Sequence, residues 1–435
     1  MKQRLVLLLI LIGQFAFGQD IPNVKDTAAK KPLMIYSLEK ATTFKINHLS
    51  GFYKSPVAIS ITGIDTSNAR IIVSNEKGET YPGLNFTITE TSSLTIILKG
   101  ENGKDSKYLG TYFINSPHQI PIVSIIVDSI EFFPPEGIYY GEVANREEKK
   151  KNKKAKTKVV GKAWDKKPIS CFAQFYFYNE LVDELALDVK TYGGMTLGWK
   201  EKSLQLSARD NKYERSKIKV KLFQNLPFRD YQHVVLRTSG NDQHATRIKD
   251  IAISQVAADI DLNTKDYRQV ILYVNGIYYG IHNLREKVNG DYFKYRYDWK
   301  KGDFIELQGS GDECPEYNSL VSYIIESSDK PDFINLIKDS IDIENYFNYQ
   351  IFETYITNID SRGNVRFYKH KDGKWKWVVY DADQACAFAE SNFIQNRCLP
   401  KERLWYNPSY TTTILEHLLK NDTLRNRFVT QYCYL

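Results

Sequence analysis

Between residues 43 and 115 the chain repeats short apolar segments broken by Gly, Asn and Asp. Residues 57–61, 70–73, 84–88, 93–98 and 108–114 each have the length and the β-branched and aromatic content of a strand. Such side chains suit a pleated, half-buried surface, and evenly spaced turn residues let successive strands reverse. The pattern predicts a small β-sandwich over 41–116. After Ser116-Pro117, residues 120–127 form a continuous apolar run, which suits a strand buried on both faces. Residues 169–178 and 184–191 read as further strands. A helix is predicted over 242–260, where Ile248, Ala252 and Val256 recur at i+4 with Ile251 and Ile260 beside them. Residues 269–274 and 277–281 flank Asn275-Gly276, the pair that favours a type I′ hairpin turn. Residues 343–357, rich in Tyr, Phe and Ile at helical spacing, read as a core helix. A second hairpin turns at Lys371-Asp372-Gly373. The order of elements over 117–435 is that of an α+β domain.

Composition adds an envelope to this pattern. The 435 residues, 42% hydrophobic and 26% charged, exceed one small domain and imply two domains plus a leader. Residues 1–18 read as a secretory signal: Lys2 and Arg4 precede an apolar run over 5–12, and Ala16-Phe17-Gly18 supplies small residues before a cleavage point. The run is too short for a confident membrane span, an uncleaved anchor being the alternative. Residues 19–40 look like a flexible leader. Export to the cell envelope or the outside is therefore expected. Much of the net charge of +7 sits in a Lys-rich stretch at 149–158, inside an insertion at 146–160. Such blocks are ordinarily solvated loops, and this one lacks the aromatic support a nucleic-acid surface needs. The five cysteines show no C-x-x-C spacing, which argues against a zinc knuckle. Cys386 and Cys398 are the closest pair in sequence, and a bridge between them would brace the region just after Asp383.

Four blocks carry polar residues that a core does not explain. Gly193-Gly194 leads into a strand segment with Lys202, where backbone N–H groups and an ammonium would suit phosphates. The bland reading is a glycine turn before an amphipathic strand. Arg237 to Asp242 is followed by Arg247 and Asp250, which at i, i+3 make one surface ion pair on the bland reading. Arg285, Glu286 and Lys287 stand in a row past a hairpin strand. The fourth block runs from Asp360 and Asn364 to Asp381-Ala382-Asp383. Two carboxylates at i, i+2 on the end of an apolar strand point to one side, and an Asp and an Asn from the other end of the hairpin would converge on them. Hard oxygen donors grouped in this way suit Mg²⁺, which takes one or two carboxylates plus substrate phosphates. Capping aspartates in a solvated turn are the alternative.

The segments Leu236 to Asp250 and Leu272 to Lys287, with the closing Trp377-Val378-Val379-Tyr380-Asp381-Ala382-Asp383, resemble the CotH kinase family of secreted or spore-coat atypical protein kinases. Lys202-Ser203-Leu204 also matches, and Gly51-Phe52-Tyr53 is similar to the sandwich placed before such domains in bacterial exported proteins. The resemblance implies a kinase-like domain that transfers the ATP γ-phosphate to Ser or Thr of a protein substrate, with Mg²⁺ or Mn²⁺. It implies that Lys202 contacts the ATP phosphates and that Asp250 or Glu286 pairs with Lys202 or orients it. Asp360 would lie near the attacking hydroxyl, Asn364 and Asp381 would hold the metal with Asp383 as a second acid, and Arg247 would be structural or phosphate-facing. The family continues past Leu435, so the chain reads as C-terminally truncated. Two rivals stand beside this reading: a surface or matrix binding protein that keeps a kinase-like shape and grips polysaccharide or protein through its sandwich, and a Ca²⁺-stabilised adhesin using the same acids.

Overall fold

A computed structural model describes residues 44–99, 105–133, 137–139, 167–209, 215–386, 393–398 and 407–435. The signal segment, the leader and the Lys-rich run lie outside the described residues. The chain mixes helices and strands and divides into two compact units. The first takes the chain up to Val127 with Phe172–Leu185 and Val270–Gly280; the second takes Asp128–Cys171, Ala186–Gln269 and Ile281–Leu435. No helix among the described residues is long and apolar enough to cross a membrane.

In the first unit, Lys45–Ile46, Val57–Thr62 and Asn85–Ile88 form one sheet. Gly51–Tyr53, Ser106–Ile114, Ser92–Leu98, Ala69–Asn75 and Gly78–Thr80 form another. Alternation decides what is buried: Val57, Ile59 and Ile61 point inward while Ala58 and Thr62 are exposed. These residues join Ile71, Val73, Leu94, Ile96 and Tyr112 in one core cluster fed by both sheets. Ile122–Val127, buried almost throughout, pairs in parallel with Tyr267–Val274. Asn275 and Gly276 have φ values of +52° and +75°, the pair of left-handed residues that a type I′ turn requires. The Asn275 side chain accepts from the Val127 N–H at 2.8 Å and donates to the Val127 carbonyl at 3.0 Å. One amide thus satisfies a strand end whose backbone groups would otherwise lack partners.

In the second unit, Asp188 to Tyr192 pairs antiparallel with Ser203–Ser207, which pairs with His233–Arg237, which in turn pairs with Asn283 to Glu286. Helix Lys249–Asp259 follows. It begins seven residues later than the periodicity predicts. Asp242 accepts from the Thr246 N–H at 3.2 Å, the Thr246 hydroxyl at 2.6 Å and the Lys249 N–H at 3.0 Å, and Arg247 sits at φ +61°. The carboxylate therefore offers those N–H groups a competing partner, and the chain coils once in a 3₁₀ turn at Gly240–Asp242 before the helix starts. Farther on, Phe304–Gln308, Arg366–His370 and Lys376–Val378 form a three-stranded sheet, with Arg366 opposite Val378. It packs with helices Ile343–Tyr355, Ser409–Leu418 and Asp422–Tyr434 in a core containing Phe367, Trp375, Trp377, Phe347 and Leu415. Eleven of the thirteen residues of Ile343–Tyr355 are buried, so this helix is held by tertiary packing on nearly all sides.

Candidate functional site

Two backbone anchors tie the Asp-x-Asp segment to helix Lys249–Asp259 and the turn after it. The Val379 N–H donates to the Asn263 carbonyl at 2.9 Å, and the Ala382 N–H donates to Asp250 Oδ1 at 3.1 Å. Asp381 and Asp383 then face one cation. Arg237, at the end of strand His233–Arg237, donates from Nη2 to both oxygens of Asp381 at 2.7 and 2.9 Å and to Asp383 Oδ2 at 2.8 Å. Its Nε lies 3.7 Å from Asp250. Burial opposes the Arg237 charge, and Asp381, Asp250 and Asp383 outweigh it. Asp250, on the first turn of its helix, is ion-paired with Arg285. Burial alone would raise its pKa, but Arg285, Lys265 and Arg237 hold it well below the usual carboxylate range. Asp383 goes the other way: burial and the neighbouring Asp381 push it up to about 6, against Arg237 and Asn241.

Gly240 explains how close these groups come. A Cβ there would stand 1.9 Å from Asp383 Oδ2 and 2.8 Å from Arg237 Nη2, and its φ is +57°. Only a glycine leaves room for the carboxylate against this backbone. The next residue, Asn241, holds Asp383 from the other side, with its N–H on Oδ2 and its side-chain amide on Oδ1, both at 3.0 Å.

The second acidic loop follows helix Ile343–Tyr355. Asn358, 1% exposed, donates to the Asp381 carbonyl at 3.1 Å and accepts from the Asp360 N–H at 3.2 Å. This one side chain ties the two loops together. Asp360 Oδ2 accepts from the Asn364 amide at 3.1 Å, across the short helix Ser361–Asn364. Burial, and then Asp381, raise the Asp360 pKa. The structure therefore brings together Asp250, Asp360, Asn364, Asp381 and Asp383.

The remaining candidates stand elsewhere. Lys202, 5% exposed, caps the Met195–Gly198 turn, donating from Nζ to the carbonyls of Leu197 at 2.7 Å and Trp199 at 2.6 Å. It makes no ion pair with Asp250 or Glu286, so the pairing expected from the resemblance is replaced by a turn cap, and burial lowers its pKa. Glu286 instead accepts from the Asp266 N–H at 2.7 Å and is ion-paired with Arg296. Arg247 is not paired with Asp250 either. Its positive φ turns it away from the helix, and its guanidinium takes both oxygens of Glu201 at 2.8 and 2.9 Å. All five cysteines are free thiols, so Cys386 and Cys398 form no bridge.

Residues 189–434, more than half of the chain, match the family model of the CotH kinase protein. The chain belongs to the CotH kinase family. No curated protein matches it. Within this CotH domain the candidate site draws on Arg237, Arg285, Lys265 and Asn358, none of which spacing singled out for its role. Arg237 and Arg285 lie inside the segments that carry the resemblance, but their partners are more than a hundred residues away or on another element. Lys265 had no local signal at all.

Among the described residues no group of three or more His, Cys, Asp or Glu is placed to hold a metal ion. The donor set can still be tested against Mg²⁺, which needs few protein ligands when phosphates and waters supply the rest. Asp360 Oδ1 and Asn364 Oδ1 accept no hydrogen bond among the described residues, and the Asp381 side chain is 15% exposed. Asn364 and Asp381 fit such an ion, and Asp360 Oδ1 stays open beside them. Among the described side chains Asp381 bonds Arg237 alone, whereas Asp383, only 5% exposed, is held by Arg237 and also by Asn241 on both oxygens, and does not fit.

Proposed function

We propose that this chain is an exported atypical protein kinase that transfers the γ-phosphate of ATP to Ser or Thr hydroxyls of a protein. The observation that carries this reading is the convergence of Asp360, Asn364 and Asp381 beside Arg237, which is linked to a helix acid, Asp250. Phosphoryl transfer asks a protein mainly for positioning and electrostatics, and these residues supply both. Asn364 and Asp381 would hold a divalent ion, which neutralises charge on the phosphates when bound. Asp360, raised by burial, accepts the proton of the incoming hydroxyl at its unpartnered Oδ1. Asn358 keeps Asp360 at a fixed distance from Asp381. Arg237 holds Asp381 and Asp383 together and keeps the charge of the cluster near balance. Export rests on the composition of residues 1–18, and the protein substrate on family membership.

A specific observation favours a second reading. Arg237 covers both acids of the Asp-x-Asp pair, as a structural salt bridge would in a binding protein that kept the fold. Phosphate transfer from labelled ATP with Mg²⁺ or Mn²⁺ separates the two. The kinase reading expects label with the wild type and a loss of at least a hundredfold in Asp360→Asn and Asp381→Ala, both still folded. No label from a folded wild type, together with no nucleotide binding, leaves the binding protein.

A further inference from the structure

One buried cation beside this site makes no direct ion pair among the described residues, although Asp250 and Asp381 lie near enough to act on its charge. Lys265 is 4% exposed. Its Nζ stands 4.2 Å from the centroid of the Tyr380 ring, next to Asp381, and makes no hydrogen bond or ion pair among the described residues. The nearby acids have closer cationic partners than Lys265. Asp250 pairs with Arg285, Asp381 and Asp383 with Arg237, and Glu306 with Arg366. Arg366 lies over the same Tyr380 ring, 4.1 Å from its centroid. Arg285 pins the Lys265 backbone by donating to its carbonyl at 3.2 Å. A ring face attracts an ammonium but accepts none of its three N–H donors in the way an oxygen does. Burying an ammonium whose three N–H donors find no acceptor is unfavourable, so this position makes physical sense when an oxygen-bearing anion arrives.

We propose that Lys265 is the phosphate-binding lysine of the site, donating to phosphoryl oxygens of a nucleoside triphosphate laid against Tyr380 and Asp381. The assignment rests on the kinase reading above and deepens it. Lys202 cannot take this part in the described conformation, because its ammonium is bound to two carbonyls. Arg237 cannot either, because its Nη2 is held by two carboxylates.

The test is calorimetric titration of the full chain with Mg-ATP and, separately, with adenosine, for the wild type, Lys265→Met and Lys202→Met. Thermal melting without nucleotide is measured beside it. Lys265→Met is expected to weaken Mg-ATP binding 10- to 100-fold and leave adenosine binding unchanged. Its melting temperature should be no lower than that of the wild type, since it removes a buried ammonium that makes no hydrogen bond or ion pair among the described residues. Lys202→Met should bind Mg-ATP within threefold of the wild type. Equal Mg-ATP affinity in the wild type and Lys265→Met overturns the assignment while leaving the kinase reading in place. A large fall in melting temperature with loss of adenosine binding overturns it in favour of a structural lysine. A folded wild type that binds no nucleotide overturns the kinase reading and this assignment together.

Discussion

Gly240→Ala tests the packing of the site with a single methyl group. The new Cβ would stand 1.9 Å from Asp383 Oδ2 and 2.8 Å from Arg237 Nη2, far inside van der Waals contact. Two costs add. Holding a non-glycine residue in the left-handed region costs about 1–2 kcal/mol. Displacing Asp383 breaks its bonds to Arg237 and Asn241, and a buried ion pair broken on one side costs about 3–5 kcal/mol. Partial relaxation of the Asp383 loop would recover some of this, so a loss of about 3–5 kcal/mol in total is expected. Gly302→Ala isolates the first term, because Gly302 is also at positive φ (+95°) and a Cβ there meets nothing within 4 Å. Urea unfolding of the wild type and both variants, followed by tryptophan fluorescence, gives the difference, and phosphate transfer is measured in parallel. If Gly240→Ala and Gly302→Ala are equally stable within about 1 kcal/mol, typical of backbone strain alone, the close approach of Asp383 to the Gly240 backbone is wrong.

Other expectations follow from the same cluster. Arg237→Met leaves Asp381, Asp383 and part of Asp250 unpaired, and should destabilise the fold by about 3–5 kcal/mol at neutral pH. Lys202→Met should lose only its turn cap, about 1–3 kcal/mol for the buried carbonyls left unsatisfied, and keep phosphate transfer within a few-fold. Glu353 is buried with Oε2 unpartnered among the described residues, and burial pushes its pKa to about 7 against Arg397 and Asn358. A carboxyl raised in the folded state contributes stability that is fully present below its unfolded pKa and is lost as pH rises through the folded value. Between about pH 4.5 and 7 this group should therefore cost the wild type about 3 kcal/mol. Urea midpoints at pH 5 and pH 7.5 should fall less in Glu353→Gln than in the wild type; equal falls would refute the buried, charged Glu353.

Much of the fold was legible because its causes are local. Alternation placed Val57, Ile59 and Ile61 on one face, and Asn275-Gly276 named its own turn. The apolar run at Ile122–Val127 and the helix Ile343–Tyr355 were marked by their composition. The helix start was misplaced because Asp242 competes for N–H groups that periodicity assigns to the helix. The acids Asp360, Asp381 and Asp383 stood out because three carboxylates and an amide near one hairpin need a reason to be there.

The partners of those acids were decided only by the tertiary structure. A cation's role depends on which anion it meets, and the cations here meet residues distant in sequence. Arg237 reaches Asp381 and Asp383, Arg285 reaches Asp250, and Lys265 stops over Tyr380 without a direct ion pair among the described residues. Lys202 sat in the expected order of parts, yet its side chain folds back on the turn just before it, where two carbonyls outcompete a distant carboxylate. Hydrophobic period and turn chemistry act over a few residues and can be read along the chain. Charge pairing acts through space, so the chain alone supplies the list of charges, and the fold decides which of them meet.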